Sequence, residues 1–217
     1  MIRRVFHESK IRGMHATGIS FLPSWSDEIV TIKQAVPADQ FVDNHLHDDN
    51  FKDLINKDGN LYMIGHCRYS TSDLEYNQPM ESPAKSIVHN GVITQELPEN
   101  WEGKYGYDCI TKNDSELVLH SNDPLREFSH MSMGVCELYK DKKLRVYRNG
   151  KRPLYLTSIP SGCIITSTAD IATRAEVGGF PVNLLMNHYT TFDEHLTMTI
   201  EKVDVEDAED LQTYAIR

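Results

Sequence analysis

The stretch Leu61–Ile93, LYMIGHCRYSTSDLEYNQPMESPAKSIVHNGVI, organises the rest of the chain. It opens as an apolar strand ending in Gly65-His66-Cys67-Arg68 and continues through a polar loop with Gln78-Pro79. It closes on a second apolar run that stops at His89-Asn90-Gly91. An arginine at one strand end can clamp a carboxylate through two parallel N–H···O bonds. An Asn-Gly turn at the next can aim the asparagine amide and the glycine N–H at a developing oxyanion. Side chains alternate along a strand, so a site that takes His66 and Arg68 turns Cys67 to the opposite face.

Upstream, residues 1–11 (MIRRVFHESKI) have helical spacing, with Ile2, Val5, Phe6 and Ser9 on one face, and Arg12-Gly13 ends the helix. Ala16–Leu22 and Glu28–Gln34 read as a β-hairpin, and Val36–His45 and Asn50–Asn56 as short helices. Downstream, Glu96–Gly106 reads as a loop, and Asn113-Asp114-Ser115-Glu116 as a helix start with Asp114 at the cap. From Met131 the texture changes to short β runs: Met131–Tyr139, Leu144–Tyr147, Leu154–Ser158 and Ile164–Ser167. A helix at Ala169–Ala175 and two or three more strands follow, the last at Leu211–Ile216. Strand runs with clustered helices predict an α+β fold with stacked antiparallel sheets in one domain, 1–217.

Composition limits the function classes. A chain of 217 residues with 40% hydrophobic and 25% charged residues has the make-up of a soluble globular protein. Its formal charge of −10 gives no basic footprint for nucleic acid or for an anionic membrane. No apolar run approaches the roughly 20 residues of a membrane span. Cys67, Cys109, Cys136 and Cys163 form no CxxC pair, which predicts reduced thiols and a cytoplasmic protein.

Taken in order, these motifs resemble the class II glutamine amidotransferase domain, in the version found in PRPP amidotransferase. Arg12-Gly13-Met14-His15-Ala16-Thr17-Gly18-Ile19 resembles the family's Arg-Gly-x-Asp-Ser-Ala-Gly-Ile. Gly65-His66-Cys67-Arg68-Tyr69-Ser70-Thr71 resembles Gly-His-Val-Arg-Tyr-Ser-Thr, and His89-Asn90-Gly91-Val92-Ile93 resembles His-Asn-Gly-x-Ile. Asp114-Ser115-Glu116 is similar to Asp-(Ser/Thr)-Glu; Arg152-Pro153-Leu154 and Ser167-Thr168-Ala169-Asp170 are similar to later family segments. The resemblance implies a four-layer αββα N-terminal-nucleophile hydrolase fold with two stacked, mainly antiparallel sheets. It implies hydrolysis of L-glutamine to glutamate without a cofactor, the ammonia passing to an acceptor on a separate synthase subunit.

The site residues follow from the same resemblance. Asn90 and Gly91 would form the oxyanion hole. Arg68 would bind the glutamine α-carboxylate with Thr71 beside it, Asp114 would hold the α-ammonium, and His89 would belong to the same pocket. Arg12, Gly13 and His66 would support it. The family's nucleophile is an N-terminal cysteine opening a Cys-Gly-(Ile/Val) strand, and no such segment precedes Arg12 here. His15 stands where the family has Asp, and Ser72 where the synthase version has His. The expectation is therefore a glutaminase domain lacking its thiol in these 217 residues, with a catalytically inactive glutamine-binding or regulatory relative as the alternative. The four internal cysteines read as small hydrophobes in strand-like runs. His45, His47, Asp48 and Asp49 read as a solvated loop and not as a metal site, and the acidic stretch Glu201–Asp210 as exposed surface.

Overall fold

A computed structural model describes residues 1–47, 51–69 and 77–205. Helix α1 (Ile2–Ser9) runs through a 3₁₀ turn into strand β1 (Ala16–Phe21). Strand β2 (Val30–Gln34), helix α2 (Ala38–His45) and strand β3 (Met63–Arg68) follow. A two-residue strand β4 (Met80–Glu81) leads to the long β5 (Lys85–Val92). Three short helices come next: α3 (Trp101–Tyr105), α4 (Ser115–His120) and α5 (Pro124–Glu127). Strands β6 (Ser132–Tyr139), β7 (Leu144–Arg148), β8 (Tyr155–Ile159) and β9 (Gly162–Thr166) precede helix α6 (Ala169–Arg174). Strands β10 (Val182–Asn183), β11 (His188–Phe192) and β12 (Met198–Lys202) complete the described residues.

Among the described residues all strand pairs are antiparallel, and they form three sheets: β2-β1-β3, β10-β8-β9, and a six-stranded β12-β11-β7-β6-β5-β4. The two small sheets share one layer over the large one. Ile64 and Leu22 meet Val88 and Leu138 beneath the first, and Leu156 and Ile165 join Val146 and Phe192 beneath the second. Outside the small sheets, Phe6 of α1 and Phe41 of α2 pack with Ile19 and Cys67. Val5 of α1 packs with Ala172 of α6 and Ile164 of β9. Outside the large sheet, Leu117, Val118 and Leu125 of α4 and α5 cover Ile87, Val135 and Tyr147. Helices thus lie on both outer faces of two stacked β layers. The expected αββα order is present, with one layer divided into two sheets where a single one was expected.

Among the described residues β3 pairs only with β1, and β9 pairs only with β8, so each keeps one unpaired edge. Helix α1 spans both, with Phe6 in the cluster of Cys67 and Val5 in the cluster of Ile164.

Several local expectations are corrected. Asn90-Gly91 is no turn: both residues lie inside the β5–β6 ladder, opposite Gly134 and Met133. Segment 96–106 is not a loop but a 3₁₀ turn followed by α3, which Trp101 anchors in the core and Gly106 closes in the left-handed conformation. Of the segment Asn50–Asn56, Asn50 lies outside the described residues, and residues 51–56 form the 3₁₀ turn Phe51–Leu54 in place of a helix. Cys109 lies in a loop ahead of α4 and not in a strand. Strand Leu211–Ile216, Thr71, Ser72, Asp48, Asp49 and the acidic residues from Glu206 onward lie outside the described residues.

Candidate functional site

Strands β3 and β5 carry the site. On β3, Met63 and Cys67 pack against the helices while Ile64 faces the large sheet, so alternation puts His66 and Arg68 on the interlayer face. On β5, Val88 joins Ile64 in the interlayer cluster, and the Ser86 hydroxyl meets Ser20 of β1 at 2.7 Å. Alternation then puts Asn90 on this same face. Arg68 and Asn90 therefore project into one space between the β layers, and Cys67 is buried behind it. Burial pushes the Cys67 thiol up to about 12.

Gly13 belongs to this end of β3. A Cβ there would lie 2.0 Å from the Arg68 carbonyl carbon, so only glycine lets the chain after α1 cross the strand end. His15 N–H then donates to the Arg68 carbonyl at 3.0 Å. Arg12 itself is exposed. It lies with Arg68 and His89 within electrostatic reach of His66, whose imidazole is pushed down to about 3, chiefly by burial. Nδ1 of His66 is shielded from solvent with no hydrogen-bond partner among the described residues.

His89 occupies the opposite face of β5, towards α4. Gln78 grips its main chain at both ends: the His89 N–H donates to Oε1 at 2.6 Å, and Nε2 donates to the His89 carbonyl at 3.0 Å. Gln78 Nε2 also donates to the Ser115 hydroxyl at 3.0 Å, which leaves that hydroxyl to donate to His89 Nδ1 at 2.9 Å. The tautomer follows, with Nε2–H donating to the Ser132 carbonyl at 3.2 Å. Burial lowers the His89 pKa against the pull of Asp114, in keeping with a neutral ring. Both ring nitrogens are thus engaged by the protein, and what His89 does in this structure is fix the backbone leading into Asn90-Gly91.

Gly91 makes that arrangement fit. Its φ is +153°, and a Cβ would lie 1.8 Å from the Ser132 carbonyl oxygen and 2.7 Å from His89 Nε2. A side chain here would occupy the path of the His89–Ser132 bond. Asp114, expected to cap α4, makes no side-chain cap bond. Its Oδ2 instead accepts Ile93 N–H at 2.6 Å and Thr94 N–H at 3.3 Å, tying the chain just beyond Gly91 to the helix. Asn113 Oδ1 accepts the Ser115 N–H at 3.0 Å in its place. Thr71 lies outside the described residues.

Gln78, Ser115, Ser132 and Arg152, whose Nε donates to Ser132 Oγ at 2.8 Å, were not among the expected site residues. Gln78 and Ser115 stood inside the quoted motifs, yet only the folded contacts show that they meet at His89. His45 lies at the end of α2 against Gln34 Oε1 at 3.2 Å. Two cavities of about 380 and 420 Å³ lie elsewhere, one under α1 and α2 and one beside Trp25. Neither is lined by Arg68 or Asn90.

No protein-family sequence profile matches the chain, and no curated protein sequence does. Solved structures do match. The glutamine phosphoribosylpyrophosphate amidotransferase of B. subtilis, complexed with ADP and GMP, superposes with a TM-score of 0.67 at 15% identity over 92% of this chain. A structure described as the allosteric regulatory enzyme of purine biosynthesis gives 0.70 at 17% over 92%. This chain has the class II glutamine amidotransferase fold. It spans 45% of the length of each of those two chains. A glutamine aminotransferase class-II domain protein from Silicibacter pomeroyi matches with a TM-score of 0.57 and 12% identity, over 87% of this chain and 91% of that one. No helix among the described residues is long and apolar enough to cross a membrane.

Proposed function

We propose that this chain is the glutaminase-type domain of a glutamine-dependent amidotransferase, hydrolysing L-glutamine to glutamate and passing ammonia to an acceptor on a partner chain. The observation that carries the reading is the placement of Arg68 and Asn90 on facing strands of one interlayer space, in this fold. Arg68 takes the glutamine α-carboxylate, with Thr71 beside it. Asp114 keeps Oδ1 without a hydrogen bond among the described residues and takes the α-ammonium while Oδ2 holds the Ile93 backbone. The side-chain amide of Asn90 and the N–H of Gly91 stabilise the oxyanion that forms when a thiolate attacks the amide carbon. His89, Gln78 and Ser115 hold that pair in position; His66, Arg12 and Gly13 shape the mouth.

Hydrolysis requires a thiolate. Burial pushes Cys67, Cys109 and Cys136 up to about 12 and raises Cys163, so none of the four is an activated nucleophile. An N-terminal Cys-Gly strand would supply it, its own α-amino group taking the proton. The unpaired edges of β3 and β9 beneath α1 are where such a strand would pair. The same four thiols favour a second reading, a glutamine-binding relative without catalysis. Calorimetry with L-glutamine separates both from an inherited scaffold. Binding is expected, weakened roughly ten- to hundredfold by Arg68→Ala as one charged hydrogen-bonded partner is lost. Binding indifferent to that change would remove Arg68 from the pocket.

A further inference from the structure

Outside that site, three metal-binding side chains meet around α4. Cys109 in the preceding loop, Glu116 in the first turn and His120 at the last residue bring their ligand atoms within 4.8 Å of one another. Glu116 and His120 are four residues apart, which stacks them on one helix face. The Glu116 carboxylate is already aimed: Oε1 accepts Ile110 N–H at 2.8 Å, and Oε2 accepts the Thr111 N–H and hydroxyl, each at 2.6 Å. Tyr107 stacks on the His120 ring at 5.9 Å and 21°, and His120 Nε2 stands 3.5 Å from Oε1. Two of the three ligands are thus held before any ion arrives, which limits the reorganisation that binding requires. Glu116 is buried, Cys109 half-buried and His120 exposed, so the group opens to solvent on one side.

We propose that Cys109, Glu116 and His120 bind a borderline-soft divalent cation of the zinc type, with water in the fourth position. Sulfur, imidazole nitrogen and one carboxylate suit such an ion, whereas magnesium and calcium take oxygen ligands. Bonds of about 2.0–2.3 Å in a tetrahedral site place ligand atoms about 3.5 Å apart. His120 and Glu116 already stand at 3.5 Å, so the thiol closes by at most about 1.3 Å from the 4.8 Å limit. Coordination replaces the S–H bond with a metal–sulfur bond and releases the proton to solvent. The ion would clip the Cys109 loop to the helix that begins at Ser115, directly after Asp114. The proposal stands whether or not glutamine is the ligand of the neighbouring site, and it departs from the sequence expectation of no metal.

The test uses the full chain after chelator treatment, titrated with cobalt(II) alone as a spectroscopic probe and with zinc(II) alone by calorimetry. One equivalent of cobalt is expected to bind, with a thiolate-to-metal absorption band that zinc abolishes. Cys109→Ser is expected to lose the band, and His120→Ala to weaken zinc binding roughly a hundredfold. His120 is exposed, so its replacement leaves the fold intact, checked by circular dichroism. His195→Ala, at an exposed histidine elsewhere, is expected to change nothing. A thiolate band surviving in Cys109→Ser, unchanged zinc affinity in His120→Ala, or no stoichiometric binding overturns the proposal.

Discussion

Lowering the pH from 7 to 4 is expected to cost the folded chain about 3 kcal/mol through His66 alone. Burial, with smaller contributions from His89, Arg68 and Arg12, takes this imidazole from an ordinary 6.5 to about 3. The unfolded chain binds the proton as pH falls below 6.5, and the folded chain refuses it until about 3. Stability from this group is therefore complete above the unfolded value and is lost as pH falls through the window between the two. Integrating the two titrations from pH 7 to pH 4 gives the figure of about 3 kcal/mol. His89, lowered chiefly by burial, pulls in the same direction. Urea denaturation of the parent chain and of His66→Gln at pH 7, 5.5 and 4 isolates the His66 share. The variant is expected to lose about 3 kcal/mol less over that range. Equal pH slopes in the two proteins would show that His66, half-buried with Nδ1 shielded, titrates normally in the fold, and the lowered value would be refuted.

Two further outcomes concern single side-chain changes. Gly91→Ala is expected to destabilise by about 2–4 kcal/mol in chemical denaturation, since the new methyl meets the Ser132 carbonyl at a backbone angle alanine rarely adopts; a change under about 1 kcal/mol would contradict the close approach. Glu137 is wholly buried and accepts hydrogen bonds from Lys85 at 2.9 Å, Arg145 at 2.5 Å, Tyr139 at 2.6 Å and Tyr147 at 3.0 Å. Burial alone would raise its pKa, but Lys85 and Arg145 outweigh it and hold the carboxylate below the usual range. Glu137→Ala leaves the largely buried Lys85 ammonium unpaired and is expected to cost about 3–5 kcal/mol, read from urea midpoints.

The β1–β2 hairpin and β3 were legible because alternation and turn residues state them locally, and so was the turning of Cys67 away from Arg68. The motif order also carried the fold. What local pattern could not show was where hydrogen bonds of long sequence separation go. Asn90-Gly91 has turn composition, but its main chain is claimed by β6 and by Gln78, so it stays in the ladder. Asp114 has cap composition, but the Ile93 N–H takes its oxygen from across the sheet edge. Helix α3 was hidden by Gly103 and Pro98, and burial of Trp101 overrides their weak propensity. The Cys109 cluster depends on a loop folding back on α4, which no spacing rule describes.

One kinetic comparison tests the glutaminase reading most directly. The chain is made with an added N-terminal segment that begins with Cys-Gly and continues as a β-type run, and ammonia release from L-glutamine is measured beside the unextended chain. The extended form is expected to turn over and the unextended one not, with Asn90→Ala in the extended form slower by roughly 10²–10³ as one oxyanion donor is lost. No turnover by the extended form, or cysteine-dependent turnover by the chain of 217 residues alone, would contradict the account.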